Sequence, residues 1–428
     1  MLLRRSVLRF LPLIIAGSMC GITSAQNSSR PPWSLSPRMA AAAREPSVPV
    51  SQGSWSQLAK LTVKGFTFSL GESVAVSGET VVAVQYPVRS KLAYVYQGNS
   101  SGWGNVLPVA TLASPPSQER FNALVAIDRD TIVIGSPAFE TGDGYVYVYV
   151  KPAGGWTNMF PTAILTPSGV NDGFFGGSVS ISGDTIVVGG TSYDTAANAY
   201  VFVKPAGGWT NMTETAKLTA SDELATSEFA ESVAVSGNTI AVGAPGSDRS
   251  TGRAYVFVEP AGGWTNMTET AKLGASDALA DARVGNSISI DGDNILVGAP
   301  NPGNTIPGLA YIFSKPAAGW RNMTQTAELS AADGVAFNFF GGSVSISGQL
   351  AIVGAPFRGA APDRAQGGIY VFQQPAGGWQ DASSSTVLTA SDVHHNADFG
   401  TALSISGKTV VGGSNYLLPN AAYVFGLP

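Results

Sequence analysis

FAESVAVSGNTIAVGAP, residues 229–245, followed by AYVF at 254–257 and EPAGGWTNMTETAKL at 259–273, is the cleanest of seven copies of one unit in this 428-residue chain. A Gly-Gly-Trp-like turn recurs at Trp103, Trp156, Trp209, Trp264, Trp320 and Trp379, with Trp55 as a degenerate first copy, at spacings of 48 to 59 residues. The glycine-rich "FG" element falls at Leu70-Gly71, Phe121-Asn122, Phe175-Gly176, Phe229-Ala230, Val284-Gly285, Phe340-Gly341 and Phe399-Gly400. "VGAP" stands at Val242, Val297 and Val353, with weaker copies at Val84, Gly135, Gly189 and Gly412; "AYVF" opens at Ala93, Gly144, Ala199, Ala254, Ala310, Ile369 and Ala422. Self-similarity at a steady period makes the fold a stack of one supersecondary unit.

Each unit reads as four short strands. Runs such as SVSIS alternate small and β-branched residues and stop at Ser-Gly-Asp or Ser-Gly-Asn, a two-residue hairpin signal leading into the VGAP strand. A variable loop leads to AYVF, whose Tyr, Val and Phe favour a pleated, half-buried surface. Pro-Ala-Gly-Gly then turns the chain into a fourth strand from the Trp to AKL. Four antiparallel strands per repeat make a propeller blade, and radial repetition hides the sheet edges. The predicted fold is all-β: a seven-bladed propeller over residues 51–428. Its first unit is preceded by an orphan fourth strand, residues 55–61, and its last stops at Phe425 without one. The N-terminal strand is therefore expected to complete the last blade as its outer strand and close the ring.

These four landmarks in fixed order resemble the FG-GAP repeats of integrin α-subunit heads, and more closely the bacterial FG-GAP proteins with a PAGGW…AKL signature. The resemblance spans residues 51–428. It implies a seven-bladed propeller, outside the cytoplasm, used for recognition or adhesion. Integrin-type blades often hold Ca²⁺ in an Asp-rich loop between the first two strands, because a hard cation needs several oxygen ligands. Here those loops are as short as Ser236-Gly237-Asn238 and Asp291-Gly292-Asp293, so no metal site and no cofactor is carried over.

Charged residues are only 12% of the chain, against about 25% in ordinary domains. Arg4 and Arg5 precede an apolar stretch over residues 10–17, and Thr23-Ser24-Ala25 offers a small-x-small cleavage site, so residues 1–25 read as a signal peptide. The stretch is too short for a membrane anchor, and no membrane span is expected after cleavage. The net charge of −5 becomes −5 − 3 = −8 once Arg4, Arg5 and Arg9 are removed, which argues against nucleic-acid binding. Cys20 leaves with the leader, so no disulfide framework remains. Residues 26–50 read as a flexible Pro/Ser/Ala-rich linker. The expected location is secreted, periplasmic or at the cell surface.

Nothing resembles a nucleophile elbow, a zinc-hydrolase helix or a phosphate loop. The two histidines, His394 and His395, could ligate a metal, but the matching loops of other copies lack histidine and a polar inter-blade loop is the simpler reading. The Gly-Gly-Trp tryptophans read as structural wedges rather than sugar-stacking platforms. Asn211, Asn266 and Asn322 fit the glycosylation sequon, as does Asn99, and read as coincidences of the repeat. Within a unit the turns are uniform, whereas the loops between second and third strands differ: 85–91, 138–143, 191–198, 246–253, 301–307, 357–367 and 414–420. These loops and the connections between blades emerge on one end of the disc, where binding residues are expected. The ligand-face candidates are Arg89, Lys91, Arg120, Asp194, Asp248, Arg249, Arg253, Arg358, Asp363, Arg364, His394 and His395. The expected function is a non-enzymatic recognition or adhesion module for an extracellular protein or glycan; the alternatives are a lectin-like propeller and a polysaccharide lyase or hydrolase.

Overall fold

The computed structural model describes residues 54–64, 70–85, 92–99, 102–104, 106–115, 124–137, 144–169, 174–191, 197–222, 224–301, 306–359, 366–392, 397–414 and 421–427. Residues 1–25 and 26–50, for which a signal peptide and a linker are expected, lie outside them. Alternation of small and β-branched residues produces seven small sheets, each a blade. The fourth blade is typical: its A strand Ser232–Ser236, B strand Thr239–Ala244, C strand Arg253–Val258 and D strand Ala271–Gly274 pair antiparallel in that order. A strands of consecutive blades face one another around the centre. In the last blade the N-terminal strand Ser56–Leu61 pairs antiparallel with Ala422–Gly426, in the D position expected of it.

The segment from Trp to AKL is not one strand, as the sequence pattern predicts, but two pieces with different partners. The AKL piece forms the D strand. Ahead of it, Met212–Thr213, Met267–Thr268 and Met323–Thr324 pair in parallel with the D strand of the preceding blade. An acceptor just before each piece fastens it. The Oδ1 atoms of Asn158, Asn211, Asn266 and Asn322 accept from the N–H groups of Thr111, Ile164, Lys217 and Lys272, each at 2.8 Å. Asp381 does the same for Glu328. Asn158 belongs to no sequon and Asp381 is no asparagine, so what recurs here is a hydrogen-bond acceptor.

Among the described residues the FG and GAP elements meet across six blade junctions. The GAP glycine of one blade lies so close to the FG carbonyl of the next that a Cβ on Gly243 would stand 2.1 Å from the oxygen of Gly285, and one on Gly413 1.8 Å from that of Gly71. Glycine is the residue that permits this approach. Seven hydrophobic clusters fill the junctions; between the third and fourth blades Val187, Val201 and Leu218 pack on Phe229, Ile240, Phe257 and Trp264. The seventh joins Ala59, Leu61 and Val424 of the last blade to Val74, Tyr94 and Tyr96 of the first. A belt of hydrogen bonds runs round the other end. The side chains of Ser77, Asp128, Ser182, Ser236, Asp291, Ser347 and Ser406, each at an A–B turn, accept from the turn N–H of the next blade at 2.5 to 3.2 Å. The last of these bonds runs from Gly78 of the first blade to Ser406 of the last, so the belt is closed.

Candidate functional site

The end of the disc opposite this belt carries the B–C loops and the connections from each D strand to the next A strand. Arg89, Lys91, Arg120, Asp194, Asp363, Arg364, His394 and His395 fall outside the described residues. Asp248, Arg249, Arg253 and Arg358 are described, and the structure gives them different surroundings.

A tyrosine on the C strand organises this end. In AYVF the tyrosine is the first large residue, and in three blades its hydroxyl reaches the acid of the connector leading into its own blade. Tyr255 donates to Asp222 at 3.0 Å, Tyr423 to Asp392 at 2.8 Å, and Tyr370 to Asp333. A cation completes each pair. Lys272 Nζ lies 2.7 Å from Asp222 with Arg253 at 3.1 Å, Arg358 lies 2.8 Å from Asp333, and Lys60 pairs with Asp392. Lys272 and Lys60 stand directly across the ladder from Tyr255 and Tyr423. Burial alone would raise these three carboxyls, but hydrogen bonds from the tyrosine and the cation, with the cation's charge, hold Asp222, Asp333 and Asp392 below their ordinary range. Arg253 and Arg358 thus serve to hold connectors in place. The recurrence of ASD after AKL was a readable signal for this motif.

Arg253 also pairs with Asp248. Asp248, Arg249 and Ser250 are consecutive left-handed residues, with φ of 50°, 61° and 63°. That conformation costs about 1–2 kcal/mol per residue. Hydrogen bonds into the next connector, Arg283 N–H to Ser250 O and Val284 N–H to Thr251 O, both at 2.9 Å, hold the turn. Arg283 is itself paired with Glu228 of the preceding connector. Arg249 is left exposed at the tip of this braced loop. On the same end the connectors present apolar side chains at matching positions: Leu224 is 70% exposed, Leu279 52% and Val335 56%, and Phe337 of the fifth-to-sixth connector and Phe357 of the sixth blade are exposed as well.

The Gly-Gly-Trp tryptophans contribute nothing to this surface. Trp156, Trp209, Trp264, Trp320 and Trp379 are 5 to 8% exposed and wedged into the blade junctions. Among the described residues no group of three or more His, Cys, Asp or Glu could hold a metal ion, and no helix is long and apolar enough to cross a membrane.

Residues 161–202, 212–257, 267–313 and 323–372 match the FG-GAP repeat family. No curated protein matches the sequence. Among solved structures, the computationally designed Ika8 protein is similar at 12% identity and a TM-score of 0.48, covering 87% of this chain and 99% of that one. The fold assignment rests instead on the strand pairing, which extends the FG-to-GAP contact of the matched copies to the remaining blades. The chain carries four FG-GAP repeats and folds into a seven-bladed β-propeller.

Proposed function

We propose that this propeller is an exported, non-enzymatic recognition module that binds an extracellular protein or glycan through the end bearing the B–C loops and connectors. One observation carries the reading. The contacts that hold blades together repeat from copy to copy, whereas this end varies and gathers exposed apolar side chains, Leu224, Leu279, Val335, Phe337 and Phe357, among braced ion pairs. Apolar patches rimmed by polar groups mark interaction sites. A rigid scaffold holding such loops binds without first having to order them. The leader-like residues 1–25 and the habit of FG-GAP propellers to work outside the cytoplasm support export.

The test is an array of glycans and cell-surface proteins probed with residues 26–428. Leu224→Ser, Val335→Ser and Phe337→Ser combined should abolish the binding found, with the melting temperature unchanged. A triple variant that binds as tightly as the parent would move the site to the belt end or the central channel.

A further inference from the structure

The fifth blade departs from the arrangement found in the fourth, sixth and seventh. Its connector acid, Asp277, accepts from the Tyr311 hydroxyl as its counterparts do, but no cation joins it among the described residues. The ladder position across from Tyr311, where Lys272 and Lys60 stand in other blades, holds Glu328. The position of Arg253, paired with Ala244, is taken in this blade by Leu309, paired with Ala299. Residues 302–305 of the adjoining loop read Pro-Gly-Asn-Thr and bring no charge of their own. Among the described residues no Lys or Arg forms an ion pair with Asp277, whose remaining contact is Gln325 Nε2 at 3.4 Å.

Beside Asp277 and Tyr311 there is a cavity of about 20 Å³, lined also by Leu279, Ile306, Pro307 and Leu309. That is room for one water- or ammonium-sized group. Burial first, then the charges of Asp277 and Glu328, push the Tyr311 hydroxyl well above its ordinary range.

We propose that this pocket binds the ε-ammonium of a lysine side chain from a partner protein, which takes the place that Lys272 fills for Asp222 and Lys60 for Asp392. The acid and the tyrosine hydroxyl receive the ammonium. The apolar wall of Leu279, Ile306, Pro307 and Leu309 packs the methylene stem, as lysine stems pack on apolar surface while the head stays solvated or paired. With Leu309 in the wall, the space of about 20 Å³ is too small for the planar guanidinium of an incoming arginine. The pocket lies on the end assigned to recognition, so the proposal rests on that reading and adds to it the chemistry of one contact.

Calorimetric titration with Nα-acetyl-lysine methylamide tests the pocket without any partner in hand. Saturable one-site binding is expected, weakened at least about tenfold for the norleucine analogue, which keeps the stem and lacks the charge, and for the arginine analogue. Two variants fill the seat from within: Glu328→Lys restores the lysine of the sister blades, and Leu309→Arg restores the arginine of the fourth. Both should lose binding while keeping the parent's melting temperature, and Asp277→Asn should lose it as well. Absence of saturable binding by the parent overturns the proposal, as does undiminished binding by a folded Glu328→Lys or Leu309→Arg protein. The array result with the Leu224, Val335 and Phe337 variant stands independently, because none of those residues lines the cavity.

Discussion

Single residues in this molecule are constrained by their neighbours in the next blade. A Cβ at Gly243 would meet the Gly285 oxygen at 2.1 Å and the Ser232 Oγ at 2.3 Å, whereas one at Gly262 would meet nothing within 4 Å. Backbone cannot yield as a flexible side chain can, so Gly243→Ala should cost at least about 2 kcal/mol. Gly262→Ala should stay within about 0.5 kcal/mol of the parent. Urea midpoints of the two variants decide this; equal midpoints would mean that the FG-to-GAP approach is not a stability determinant. Glu72 offers a titration counterpart. Burial raises its carboxyl from 4.5 to about 7, and that of Asp398 to about 6. Between the unfolded and folded values the native state holds a proton that the unfolded chain has released, so stability falls as pH rises through that window. The depressed carboxyls Asp222, Asp333 and Asp392 act oppositely, and their contribution disappears as pH falls through their folded values. Stability should therefore decline from pH 5 to pH 8, with Glu72 contributing up to about 3 kcal/mol of the change. Glu72→Gln should flatten the decline; an unchanged pH slope in that variant would show that Glu72 does not cause it.

Elements were legible in the sequence where the signal is local. The SVAVS run, the Ser236-Gly237-Asn238 turn and AYVF each carry their own period and turn chemistry, and each forms the strand or turn expected. What escaped lies between copies. Ser236 is readable as a turn residue, but its hydrogen bond goes to Gly292, 56 positions away in the next blade. The Asn266-Met267-Thr268 triplet reads as the front of a strand, yet Met267 pairs with Leu218 of the preceding blade. In the sequence Arg253 and Arg358 read as ligand-face residues because they are charged and lie in variable loops. Tyr255 and Tyr370, with Asp222 and Asp333, claim them once the C and D strands are in register. The same register makes the odd blade visible: Glu328 in AEL is an ordinary substitution in the sequence and a reversal of charge beside Tyr311 in the fold.

At the scale of the whole molecule, stability depends on closing the ring. Every blade but the last draws its D strand from its own repeat; the last takes Ser56–Leu61 from the other end of the chain. That strand supplies Ala59 and Leu61 to the cluster joining the last blade to the first, and Lys60 to Asp392. Gln57 Oε1 adds a hydrogen bond from the Ser391 N–H at 2.9 Å. Removing residues 51–64 should therefore bare the edge of Ala422–Gly426, open the junction core and lower the melting temperature by at least about 5 °C. A free edge of this kind also invites pairing with another chain, so the truncated protein should self-associate where the parent does not. A synthetic peptide of residues 51–64 binds only the folded, open ring, so it should raise the melting temperature in proportion to the logarithm of its concentration once above its dissociation constant. The Leu61→Asp peptide should fail to do so, since Leu61 is fully buried in the junction. A truncated protein that melts within about 2 °C of the parent and ignores the peptide would show that the ring is held by its six internal junctions alone and that the N-terminal strand is dispensable.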